Sequence, residues 1–220
     1  MNREDLRNIL AFTASITTIF QSLAGTLVCL KIVQKKSTGD LSGLPFISGF
    51  LAASSWLGYG FLIGDPTLIF VNTVGTALNF SYASLFCFFS IKKTVVLRQF
   101  VGSVFGIITL LLYLVNGFST EISIKYVGFL SCALTIMFFA APLTSLMYII
   151  RVKSADSLPF PIILMTFIVT IQWFFYGALL HDYFIQIPNI LGCLLSGFQL
   201  FLFWIYSKSS AVTYTPVQNL

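Results

Sequence analysis

Two asparagines, Asn72 and Asn189, and two tryptophans, Trp56 and Trp173, are the side chains best equipped for chemistry, and the members of each pair stand 117 residues apart. Each asparagine lies in a run of uncharged, mostly apolar residues. An amide without a partner in such a setting costs several kcal/mol, so each must face another polar group or a wet cavity. An amide presents N–H donors and a carbonyl acceptor, a set that suits hydroxyl groups, while an indole adds a broad apolar face and one N–H donor. This is the equipment of weak, reversible, uncharged binding. One isolated asparagine would be explained as well by an interhelical hydrogen bond, and one tryptophan by filling a bundle or sitting at an interface; matched pairs at one spacing favour a site.

Bond-making chemistry has no such assembly. The single histidine is His181, and no HExxH, GxxxxGK[ST] or GxSxG string occurs, so neither a catalytic residue nor a nucleotide, metal or other cofactor is expected. Cys29, Cys87, Cys132 and Cys193 all lie in apolar runs, where sulfur behaves as a small hydrophobe and implies neither a disulfide framework nor a CxxC metal site.

The elements that must position these residues follow from composition. The chain has 220 residues, 57% hydrophobic and 9% charged, with 24 phenylalanines, and a mean hydropathy of +0.94, whereas a soluble domain carries about 25% charge. It is an integral membrane protein. A spanning helix needs about 20 apolar residues, so the length is consumed by spans and leaves no room for an extramembrane enzyme domain. Uncharged windows place seven spans near Ile9–Leu30, Leu44–Ile63, Thr67–Ile91, Phe100–Phe118, Ile122–Ile150, Leu158–Leu180 and Tyr183–Tyr206. Spanning strands would be about 9–11 residues long and would alternate, so the fold class is an all-α polytopic membrane protein. The first run is longer than a signal-peptide core and no small-x-small cleavage site follows it, so it is read as a retained span.

Lys31, Lys35, Lys36, Lys92, Lys93, Arg98, Arg151, Lys153 and Lys208 follow spans 1, 3, 5 and 7, whereas only Arg3, Arg7 and Lys125 fall on the other side. The positive-inside rule therefore predicts an extracellular or lumenal N-terminus and a cytoplasmic C-terminus. The pI near 9.1 answers to this topology and to lipid charge, and no nucleic-acid partner is implied.

The 117-residue offset extends well beyond the four central residues. It superposes Lys36-Ser37 on Lys153-Ser154, Leu41 on Leu158, Tyr59-Gly60 on Tyr176-Gly177, Asp65 on Asp182 and Gly75 on Gly192, with one slip because Pro45 and Pro159 are 114 apart. Spans 1–3 thus repeat as spans 5–7, and one intervening span makes the repeats parallel. The expected organisation is a first triple-helix bundle over 1–91, an inversion linker helix over 92–121, a second bundle over 122–207 and a short polar tail over 208–220. Gly102 and Gly106 of the linker have the GxxxG spacing of close helix packing.

These strings, KKSTGDLSGLPF at 35–46, WLGYGFLIGDPTLIFVNTVG at 56–75, APLTSLMYIIRVKSADSLPF at 141–160 and WFFYGALLHDYFIQIPNILG at 173–192, resemble the SWEET sugar transporters, a family of parallel triple-helix repeats. The resemblance covers roughly residues 25–206 and implies specific roles. Asn72 and Asn189 would form the polar half of a sugar site and Trp56 and Trp173 its walls, each indole stacking on a pyranose face while its N–H donates. A bulky Trp56, where plant-type members often have a small residue, would narrow the site toward monosaccharides. Tyr59 and Asp182 would close an outer gate through a phenol–carboxylate hydrogen bond, supported by Gly60 and Tyr176. Pro45, Pro142 and Pro159 match the family's hinge prolines, and the fourth, span-1 position is Gly25, a departure that puts equal hinging of the two halves in doubt. Pro161 and Pro188 read as local kinks, and Asp65 as a solvated loop acid.

No Asp, Glu, Lys or Arg lies at the centre of any span, so proton-coupling groups are absent. The implied function is facilitative, bidirectional sugar uniport by alternating access, most simply of a monosaccharide such as glucose. The competing readings are a PQ-loop-type proton-coupled amino-acid carrier, which would carry Pro-Gln pairs where Pro142 is followed by Leu143, and a non-transporting sorting or scaffold protein. A seven-helix receptor is disfavoured by the repeat and the short loops. The expected partners are a sugar and the lipid bilayer, with homo-oligomers permitted but not needed for a route. The expected location is the plasma membrane, with Golgi or endosomes as alternatives.

Overall fold

The structure is a computed structural model that describes residues 2–155 and 159–206. Among them there are eight helices and no strand: α1 (Arg3–Lys35), α2 (Leu44–Ile63), α3 (Pro66–Phe89), α4 (Lys93–Asn116), α5 (Thr120–Phe138), α6 (Ala140–Val152), α7 (Phe160–Leu180) and α8 (Tyr183–Tyr206). All but α6 are long and apolar enough to cross a membrane, so the seven expected spans are present. The outer surface is itself apolar: Phe12, Phe70, Phe105 and Tyr183 are more than half exposed, the arrangement of a chain whose solvent is lipid.

The extra element arises from a break in the fifth span. Pro142 has no N–H to offer the carbonyl four residues earlier, and α5 accordingly ends at Phe138. Phe139 N–H turns to the Ile136 carbonyl (2.9 Å), and Leu143 N–H restarts the ladder on the Phe139 carbonyl (3.0 Å). The counterpart α1 runs unbroken for 33 residues. It starts well before the apolar run, because Asn2 accepts from Asp5 N–H (2.8 Å) and Asp5 accepts from Asn2 N–H (3.1 Å), a reciprocal capping box. The expected start of the sixth span at Leu158 and the tail over 208–220 lie outside the described residues.

The repeat reappears in the backbone. The helix caps Lys36 and Lys153 are both left-handed (φ 50° and 54°), as are Gly64 (φ 66°) and His181 (φ 56°), and each pair is 117 residues apart. In the second pair, Asp65 N–H bonds the Gly60 carbonyl and Asp182 N–H the Gly177 carbonyl, at 3.0 and 2.9 Å. This six-to-one closure lets a helix stop and the next begin within a two-residue turn.

The chain divides into two compact units, Met1–Thr135 and Ile136–Leu220. In the first, α1 and α2 both pack on α3, and α4 packs on α2 and α3. Phe100 of α4 joins Ile47 and Ala83 in a buried cluster, and Ser123 Oγ of α5 donates to the Leu114 carbonyl of α4 at 2.7 Å. In the second unit, α6 and α7 both pack on α8, around Leu146, Ile149, Ile163 and Leu202. The last helix of each triplet is therefore the one on which the others lean.

Several local expectations change. A Cβ added to Gly102 or Gly106 meets no described atom within 4 Å, so the GxxxG face makes no close helix contact here; α4 packs instead through Phe100 and Ile107. Pro161 does not kink a helix, because it lies in the first turn of α7, where the missing N–H has no intrahelical partner to lose. Of this pair, Pro188 sits inside a helix as expected, in α8.

Candidate functional site

In the first unit the site residues form a connected set on α2 and α3. Asn72 is half-buried and donates Nδ2–H to the Leu68 carbonyl one turn earlier at 2.9 Å. Leu68 is met from the other side by Gly60: a Cβ added there would stand 3.1 Å from Leu68 Cβ and 3.1 Å from Ile69 N, so a side chain at this position would crowd the contact between the two helices. Tyr59, 2% exposed, meets the Trp56 ring edge-on at 5.6 Å and 89°, the favourable quadrupole geometry. Trp56 Nε1–H donates to Thr135 Oγ1 of α5 at 2.9 Å.

The second unit builds the same set from residues 117 positions on. Asn189 donates to the Ile185 carbonyl at 2.7 Å. A Cβ on Gly177 would fall 2.9 Å from Ile185 Cβ, and Trp173 meets Tyr176 at 5.4 Å and 87°. The helices of each hairpin touch through the same lower pair as well. Gly75 faces Ala53 and Gly192 faces Thr170, and added Cβ atoms would lie 3.5 Å from Ala53 Cβ and 2.8 Å from Thr170 Cγ2. In each unit the turn that holds the asparagine is thus braced by the glycine next to the tyrosine that braces the tryptophan. Each amide thus commits one of its two N–H groups to its own helix.

The aspartates are also matched. Asp65 Oδ1 accepts Leu68 N–H at 2.8 Å and caps α3. Asp182 Oδ1 accepts Phe184 and Ile185 N–H at 2.9 and 3.2 Å, capping α8. Asp65 is not the solvated loop acid expected, being 9% exposed, because its carboxylate is folded over the end of its own helix. Trp56 departs from expectation too: its only donor is engaged by Thr135, so it offers a neighbour a ring face.

The positions assigned to hinging are structurally unlike one another. Pro45 is in the first turn of α2 and Pro159 is the N-cap of α7, so both mark helix starts; Pro142 lies just after the α5–α6 break. Gly25 is inside unbroken α1, where the Tyr82 ring comes so close that an added Cβ would lie 2.5 Å from Cε2. The Tyr82 hydroxyl is 2.7 Å from Thr26 Oγ1 and donates to the Ser22 carbonyl at 3.3 Å. Thus the place a proline would weaken is braced by an aromatic ring.

Four participants escape a reading by residue type: Thr135, Gly177 as the partner of Gly60, and the Leu68 and Ile185 carbonyls. A signal existed for the first two. Residue 18, 117 positions before Thr135, is also threonine, and Gly177 falls on Gly60 at the same offset. Backbone carbonyls leave no mark in a sequence.

The family described as a sugar efflux transporter for intercellular exchange matches residues 8–94 and again 125–211, two copies displaced by the same 117 residues. The chain is 44% identical over 204 residues to the sugar transporter SWEET1 of Drosophila pseudoobscura pseudoobscura, covering 92% of this chain and 90% of that one. It is 33% identical over 192 residues to the bidirectional sugar transporter SWEET2a of Oryza sativa subsp. indica, covering 85% and 79%. A eukaryotic SWEET transporter solved at 3.7 Å superposes with a TM-score of 0.85 and 30% identity over 92% of this chain and 99% of that one. With the doubled constellation of asparagine, tryptophan, tyrosine and glycine on a doubled three-helix scaffold, these matches establish that the chain belongs to the SWEET family.

Proposed function

We propose that the protein is a facilitative, bidirectional sugar uniporter that carries a monosaccharide such as glucose by alternating access. The observation that carries this reading is the repetition of one uncharged binding set in both units: an asparagine whose amide is half committed to its own helix, braced by glycine, beside a tryptophan braced by tyrosine. Asn72 and Asn189 recognise hydroxyls, and Trp56 and Trp173 wall the site, with the bulk of Trp56 favouring a single ring. Tyr59 and Asp182 form the outer gate. Gly60 and Tyr176 support it, and Gly25, Pro45, Pro142 and Pro159 are the positions at which the halves flex or are braced. A single chain suffices for the route. The N-terminus faces outward, the basic ends of the spans face the cytoplasm, and the plasma membrane is the site of action.

The test is equilibrium exchange of radiolabelled glucose in proteoliposomes for wild type, Asn72→Ala, Asn189→Ala and Trp173→Ala. Saturable exchange that falls at least about tenfold in each variant, the scale of one buried polar or aromatic contact, is the expected result. Wild-type exchange in both asparagine variants would remove the central site, and exchange of amino acids in place of sugars would move the protein to the PQ-loop reading.

A further inference from the structure

The Trp56 indole has a single N–H, and that donor is met by Thr135 Oγ1 at 2.9 Å. The threonine hydroxyl in turn donates to the Ser131 carbonyl of its own helix at 2.9 Å. Both bonds therefore have a defined direction: the hydroxyl proton is committed along α5, and an oxygen lone pair receives the indole. Ser131 is itself fully buried, and its hydroxyl donates to the Val127 carbonyl at 2.9 Å, so the acceptor stands on a buried stretch of helix. Rotation of a tryptophan ring about its outer torsion is only weakly restricted by itself. Here one side is held by Tyr59 edge-on and the N–H by Thr135. The residue lies one helical turn before the break at Phe139.

We propose that Thr135 is a positioning residue for sugar binding: its hydroxyl holds the Trp56 ring with the indole donor engaged, so that this wall presents an apolar face to the ligand and leaves hydroxyl recognition to the asparagines. The inference rests on the reading of Trp56 as a wall of the sugar site. It assigns Thr135 a role in binding that acts through Trp56, and it makes the wall's orientation a property of α5 as well as α2.

The experiment is glucose exchange in proteoliposomes for wild type, Thr135→Val, Thr135→Ser, Trp56→Phe, Trp56→Ala and the Thr135→Val/Trp56→Phe pair. Thr135→Val keeps shape and loses the acceptor; it should raise KM about three- to tenfold, the worth of one neutral hydrogen bond, with Vmax retained. Thr135→Ser should behave as wild type, and the pair should be no worse than Trp56→Phe alone, because both changes remove the same bond. In protein whose sole tryptophan is Trp56, made by Trp173→Phe and Trp204→Phe, Thr135→Val should shift indole emission to the blue. If Thr135→Val does not reach the membrane, Trp56→Phe tests the bond from its other end and should raise KM equally. A wild-type KM in Thr135→Val alongside a raised KM in Trp56→Ala overturns the role of Thr135 and leaves the wall standing. A wild-type KM in Trp56→Ala removes the wall, and the proposal with it. Equal impairment in Thr135→Ser and Thr135→Val assigns the effect to packing and also overturns it.

Discussion

Asn72 and Asn189 are each partly satisfied by their own helix, through Leu68 or Ile185, and this makes an amide tolerable in an apolar span. A reading by residue type finds the amide but not the carbonyl that holds it, since every residue has a carbonyl. The cap of α3 is legible in the sequence, because Asp65 stands directly before Pro66 and a capping acid followed by proline at the first helical position is a helix-start signature. The left-handed pair shows the reverse case, because the offset that equates Gly64 with His181 says nothing about backbone sign. His181 holds φ 56° where its counterpart is glycine. Since a side chain in this region costs about 1 kcal/mol or more, His181→Gly should raise the melting temperature in detergent and Gly64→His should lower it. Thermal unfolding followed by circular dichroism checks both, and a fall for His181→Gly would contradict the account.

At the scale of the element, the two triplets share a plan and differ in one joint. The fifth span is broken at Phe139 ahead of Pro142, whereas α1 is continuous past Gly25. The Tyr82 ring fills the notch at Gly25 and its hydroxyl bonds the helix at Ser22 and Thr26. The counterpart of Tyr82 in the second triplet is Gln199, which has no ring to brace α6 in this way. Gly25→Ala should therefore push the Tyr82 ring out of the notch and cost about 1–3 kcal/mol, the usual range for overpacking. Tyr82→Leu in the same chain should return part of that loss, while Tyr82→Phe, which keeps the ring, should not. Differences in melting temperature among the three proteins decide it. The glycine was visible as the odd member of a proline set, but the ring that explains it lies 57 residues away in sequence, and only packing brings the two together.

The whole molecule is two compact helical units with an apolar exterior and no Asp, Glu, Lys or Arg at the centre of a span. Uncharged contacts of this kind give a proton gradient nothing to act on. Glucose should therefore equilibrate to the outside concentration whether or not a gradient is imposed, and a gradient should change the initial rate by less than about twofold; accumulation above the outside level in gradient-loaded proteoliposomes would contradict this. By itself, the sequence determined that the chain is a seven-span helical membrane protein built from a parallel repeat, and which residues are paired by that repeat. Hydrophobic run length and a fixed offset are properties of the chain alone, and a bilayer imposes helices on any such run. Tertiary structure alone decided which proline breaks a helix, that the linker's glycines make no close contact among the described residues, that Asp65 folds back over α3, and that Thr135 takes the donor of Trp56. Each of these depends on the distance between atoms far apart in sequence or on a backbone angle at a helix end, and packing sets both.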